Sequence, residues 1–186
     1  EVRQTFNRLP AFEGDGRTAK QGLATADDFR FMRCWWETAS DGWFPVAKGG
    51  AYSPFYADIY LLVNWVNDGA EIANNMNEKG NVRSNIWMLK ETANRYFFRP
   101  GLTWSLRSRR FAPQILPRKC IFSLRGMSAF SDPLLLPNLL AIFNSRAFDY
   151  LFKISLGRFG FPEFHVGYLT KLPFPDIDAE TGNRLA

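Results

Sequence analysis

Histidine and cysteine are nearly absent from this chain, which holds His165, Cys34 and Cys120 and no others. A structural zinc site takes four nitrogen or sulfur ligands in local pairs, so these three residues cannot build one. A chain of 186 residues does not need a disulfide to fold, and both thiols are expected to be reduced and buried. A catalytic triad would have to use His165, between Phe164 and Val166, where a packing or hydrogen-bonding role is the expectation. Long apolar runs are missing too. Asn64 interrupts residues 59–65, Pro137 and Asn138 interrupt residues 134–143, and nothing approaches the roughly 18 residues of a membrane span. No basic-then-apolar leader stands at the N-terminus, and the two reduced cysteines point to a cytoplasmic location. The chain opens on Glu1 rather than Met, as expected of a piece excised from something longer.

Carboxylates are absent from the whole stretch between Glu91 and Asp132. That stretch holds Arg95, Arg99, Arg107, Arg109, Arg110, Arg118, Lys119 and Arg125, and without these cations the net charge of +5 would become negative. Arginine forks onto phosphates and guanine edges, so the segment points to a polyanionic partner. Aromatic residues reach 16%, with 18 Phe, 6 Trp and 6 Tyr. They can fill a core and still leave rings for a binding surface.

The class read from the pattern is mixed α+β, a twisted, mainly antiparallel sheet with flanking helices. Residues 1–26, punctuated by Gly14, Gly16 and Gly22, are expected to be irregular, with residues 1–20 as a lead-in from an upstream domain. The apolar runs Phe29–Glu37 and Ile59–Trp65 predict buried strands, with a loop over Gly42–Ser53 between them. Asp68, with Glu71 three residues on, predicts a capped helix over 69–78. Leu102–Ser105, Phe111–Leu116 and Cys120–Leu124 read as a meander with basic turns. Leu139, Leu140, Phe143, Ala147, Phe148, Leu151 and Phe152 keep helical spacing over two short helices or one bent one. Extended pieces are expected over 166–175 and a linker over 176–186.

Several motifs fail on inspection. Asn64, Asp68 and Gly69 do not make a calcium loop, because Val66 holds a ligand position and Asn75 that of the bidentate Glu. Pro175-Asp176 is not followed by Asp/Glu-x-Lys, so no nuclease centre is present. Ser53-Pro54-Phe55-Tyr56 is similar to the base-gripping tetrapeptide of amino-methyltransferases, and Phe12–Gly16 to their cofactor turn. Too few residues separate Gly16 from Ser53 to hold the three crossovers between those motifs. What remains is a binding constellation. Arg107, Ser108, Arg109 and Arg110 form a turn after Trp104, from which arginines can reach base edges. Lys48-Gly49-Gly50 with Tyr52 and Tyr56 reads as a flexible cationic loop flanked by rings. Arg118, Lys119 and Arg125 are the expected phosphate contacts.

Five strings, in order, resemble a known family. Gln21–Glu37 (QGLATADDFRFMRCWWE) is similar to the opening of the target-recognition region of large adenine-specific DNA methyltransferases. Lys48–Tyr52, Val63–Ile72, Tyr96–Trp104 and Cys120–Ser123 follow in the family's order. The tail, Leu139–Ser145 and Glu163–Pro173, looks like the end of such domains and of type I specificity subunits. The family includes fused restriction-modification enzymes and PglX-like phage-defence methyltransferases with TaqI-like specificity domains. The resemblance implies a DNA target-recognition domain over 21–175, reading double-stranded DNA through the major groove. It also implies an upstream domain that binds S-adenosylmethionine and methylates adenine N6, with no cofactor and no catalytic residue in this chain. Ala26 stands where the family often has Gly, a loss of turn flexibility, and Arg125-Gly126-Met127 falls where the family varies.

Together these features predict sequence-specific DNA recognition, with Lys48, Tyr52, Trp104, Arg107, Ser108, Arg109, Arg110, Arg118, Lys119 and Arg125 as contacts. A protein-docking module using the aromatic surplus is the rival. An aromatic-lined carbohydrate-binding module is a third reading, disfavoured by the unpaired cysteines.

Overall fold

The computed structural model describes residues 2–38 and 40–176; all of the expected linker except Asp176 lies outside them. Mixed α+β architecture is observed, with the strands divided between two four-stranded sheets. The first sheet is antiparallel throughout, in the order β1 (Thr18–Lys20), β8 (Gly126–Phe130), β5 (Gly101–Ser105), β6 (Gln114–Leu116). The second runs β2 (Met32–Cys34), β4 (Leu61–Asn64), β3 (Trp43–Ala47), β7 (Ile121–Phe122), with β3 and β7 parallel.

Strand β5 shows why the first sheet is central. All five of its residues are buried, so both faces are covered. With side chains alternating, Leu102 and Trp104 enter one core, while Thr103 and Ser105 face the other way. The first core lies against helices α5 (Leu136–Phe143), α6 (Arg146–Leu156) and α7 (Val166–Leu169), and is dominated by rings: Phe12, Phe111, Phe143, Phe148, Phe152, Phe164 and Phe174. Each such buried phenyl contributes about 1.5–3 kcal/mol of transfer free energy. Ser145 caps α6 by accepting from Phe148 N, and Gly157 ends it with φ 64. The second core gathers Leu23, Phe31, Val63, Trp65, Ile72, Phe97 and Phe122 under the second sheet.

Several expectations are corrected. Residues 1–26 are not irregular throughout. They hold α1 (Val2–Arg8) and β1, and Phe12 is fully buried. The run from Phe29 is only three strand residues long, preceded by the one-turn helix α2 (Asp28–Phe31), and it leaves Trp35 and Trp36 exposed. The loop over 42–53 gives way to β3 in its first half. No capped helix runs over 69–78. Asn67, Asp68 and Gly69 are all left-handed, Gly69 rather than Asp68 precedes helix α3 (Ala70–Ala73), and it stops at Ala73. The meander breaks because β7 joins the other sheet, and β8 takes the place between β1 and β5. Residues 166–169 are helical rather than extended. Cys120 is buried, its thiol pushed up to about 11 by that burial, whereas Cys34 is only half-buried. Ala26 keeps the left-handed turn that glycine would suit, at φ 62.

Candidate nucleic-acid interface

Strand β5 sorts the predicted site residues. Its C-terminal end leads into Arg107–Arg110, while its N-terminal end pairs with Leu116, just before Arg118 and Lys119. Four residue steps of strand, about 13 Å, separate the two ends.

At the Arg107 end, two glycines let the sheets meet. A Cβ on Gly49, whose φ is 75, would stand 2.6 Å from the Arg125 carbonyl oxygen, and one on Gly126 would stand 2.4 Å from that of Ala47. Gly50 N donates to Ser105 Oγ at 2.8 Å, and that hydroxyl donates back to Gly50 O at 2.9 Å. The Lys48–Gly50 segment is therefore pinned, not flexible. Lys48 itself is ion-paired with Asp28. Burial works against the Asp28 charge, yet hydrogen bonds from Lys48 and Thr25 outweigh it and hold the carboxyl below its ordinary value. Arg125 is exposed beside this pair, and Tyr52 is half exposed. A cleft of about 350 Å³ opens between the sheets, lined by Lys48, Ser53, Tyr60, Thr103 and Gln114 among others.

The Arg107–Arg110 turn is tethered on two sides. Arg107 forms an ion pair with Glu163. Hydrogen bonds from His165 and then from Arg107 hold the Glu163 carboxyl below its ordinary value. Behind the turn, nearly buried Asp149 accepts from Phe111 N at 2.8 Å and from Lys153 Nζ at 2.9 Å, with Arg110 Nε at 3.8 Å. Lys153 also donates to Arg109 O at 3.0 Å. The Arg109 guanidinium has no partner among the described residues, and Ser108 Oγ is buried without one. Four cations thus converge here, and three of them, Arg107, Arg110 and Lys153, are paired with the carboxylates Glu163 and Asp149 that fix the turn. Lys153 escaped the sequence reading, although its place four residues after Asp149 on a helix was a usable signal.

Trp104 does not belong to a contact surface. It is 1% exposed, its Nε1 donates to Phe164 O at 2.7 Å, and its ring packs edge-on against Phe111. Its expected role as a contact is replaced by support of the turn from beneath. Arg118 and Lys119 are exposed at the opposite end, where Lys119 N donates to Phe98 O at 3.0 Å. Arg95 and Arg99 stand at that end too, around a cleft of about 410 Å³ shared with Arg17, Lys20 and Glu91. The predicted contacts therefore do not form one continuous patch. Among the described residues no group of three or more His, Cys, Asp or Glu could hold a metal ion, and no helix is long and apolar enough to cross a membrane.

These features define a class: an α+β domain of two mainly antiparallel sheets, with arginines presented at both ends of a shared central strand. No family model matches the chain. It is similar to the adenine-specific methyltransferase PglX of Lacticaseibacillus casei (strain Zhang), 29% identical over 174 residues, which cover 84% of this chain and 14% of that protein. It is also similar to the adenine-specific methyltransferase BrxX of Escherichia coli O9:H4 (strain HS), 29% identical over 161 residues, covering 78% and 12%. The chain is thus homologous to part of these methyltransferases, and it spans only a small share of their length.

Proposed function

We propose that this chain is the DNA-reading part of an adenine-specific methyltransferase, with the Arg107–Arg110 turn in the major groove and Arg118, Lys119 and Arg125 on phosphates. The observation that carries the reading is the turn itself. Its guanidiniums stand on the turn that follows a strand buried on both faces, and carboxylates limit the freedom of two of them, Arg107 and Arg110. Rigid presentation is what bidentate base readout requires, since a misplaced fork loses one of its two hydrogen bonds. Relatedness to PglX and BrxX supplies the chemical context, in which an S-adenosylmethionine-binding domain outside this chain modifies the adenine. The chain itself contributes recognition and no catalytic group.

A second reading rests on a specific observation. Phe29 is 95% exposed, and Trp35 and Trp36 stack edge-on in solvent with centroids 5.6 Å apart. Such rings also suit docking to a protein partner. Fluorescence anisotropy of the chain with random-sequence duplex DNA across a salt series separates the two. A log–log slope of several units supports DNA recognition. Absence of binding at low salt favours docking.

A further inference from the structure

The loop from Gly157 to Glu163 is unused by the reading above, and its shape is unusual. After Gly157 the chain exposes Phe159 and then Phe161, which is 89% exposed. Phe161 has φ 46, the left-handed region that a bulky side chain disfavours, and a proline follows it, which restricts the backbone further. Among the described residues no ring contacts Phe161, while Phe159 meets only Tyr150, at 6.3 Å between centroids. The loop is held at its end instead. Arg107 and Glu163 form an antiparallel bridge, and Phe164 N donates to Leu106 O at 2.8 Å. In an antiparallel pair the residues after one partner run beside those before the other. Arg109 and Arg110 therefore leave the bridge on the same side as Phe161.

The segments that adjoin the loop supply a cationic collar. Arg107, Arg109, Arg110 and Arg158 stand on them, with Lys153 nearly buried behind Arg109, against only Asp149 and Glu163. Charge complementarity selects the partner. An apolar protein surface has no use for the collar, and a free phosphate has none for the rings. Duplex DNA offers both, with phosphates outside and stacked base planes within. We propose that Phe161, backed by Phe159, is an apolar wedge that enters a base step of duplex DNA beside the bases read by the Arg107–Arg110 turn. Inserted side chains of this kind unstack a step and bend the duplex, bringing more phosphates against the protein. The inference rests on the DNA-recognition reading and adds to it a residue that senses the deformability of the step.

The test uses this chain with duplexes selected by it from a random-sequence pool, each carrying 2-aminopurine at one adenine in turn. Binding is expected to raise the fluorescence at one step. Phe161→Ala should abolish that rise and weaken binding about tenfold, the scale of one lost stacking contact. Phe161→Leu should restore part of both, and the salt slope should not change. Because Phe161 is exposed, the melting temperature of each variant should match that of the parent. Duplex binding without a rise at any position, or a rise that survives Phe161→Ala, would overturn the wedge and leave recognition standing. Failure to bind any duplex would overturn both.

Discussion

The eight cations between Glu91 and Asp132 are one cluster in the sequence and two in space. Arg107, Arg109, Arg110 and Arg125 stand at one end of β5; Arg95, Arg99, Arg118 and Lys119 stand at the other. The ends differ in how they hold their charge. At the Arg107 end, Glu163 and Asp149 hold two of the guanidiniums, those of Arg107 and Arg110, over a ring-packed core. At the Arg118 end, the Arg118 and Lys119 side chains have no partner among the described residues, while Arg95 pairs with Glu91 at the surface, at 3.1 Å, and lies over the Tyr96 ring. A tethered fork can discriminate between bases, whereas a solvated cation senses little beyond a phosphate's charge. Charge counted along a sequence therefore overstates the size of a patch, and tethering decides what each part can do.

That contrast can be broken from beneath. Trp104→Ala removes a buried indole and its hydrogen bond, and should cost about 3–5 kcal/mol in urea unfolding. Asp149→Ala leaves Lys153 and Phe111 N without their acceptor, and should cost about 3 kcal/mol in the same assay. Its loosened turn should also lose preference among DNA sequences. At the other end, Arg118→Ala with Lys119→Ala should leave stability within about 0.5 kcal/mol of the parent. It should reduce the slope of log affinity against log salt by about 2, equally for all sequences. The smallest effect is a pH dependence. Since His165 and Arg107 hold the Glu163 carboxyl below its ordinary 4.5, its contribution to stability is complete above that value and fades as pH falls through the lowered one. Urea midpoints of the parent should therefore drop on acidification through this window more than those of Glu163→Gln, and parallel curves would remove Glu163 as a tether.

Some of this was legible in the residues. The α5–α6 pair followed from helical spacing, because it buries one consistent face, and strand β5 from a short strand-like run beside a basic turn, although both of its faces are buried. Trp104 was misplaced although the signal was present: Leu102, Trp104 and Leu106 share one strand parity, and two of the three are plainly core residues. Strand β8, with Gly126, Ser128 and Ala129, escaped because its small residues serve close approach between layers, which no local propensity records. The stiffness of the Lys48 loop depends on Ser105 and Arg125, far away in sequence, so Gly49-Gly50 read as flexible when it is closely packed. At 67–69, three consecutive left-handed residues overrode the helix-start pattern.

The central claim is that sequence reading belongs to the Arg107 end of β5. Its most direct test compares Arg107→Ala/Arg110→Ala with Arg118→Ala/Lys119→Ala, each titrated by anisotropy against a duplex selected by the parent chain and against its scrambled counterpart. The account predicts that the first pair lowers affinity for the selected duplex by about 1–3 kcal/mol more than for the scrambled one, while the second lowers both alike. Equal losses for the two duplexes in the first pair, or a selective loss in the second, would contradict it.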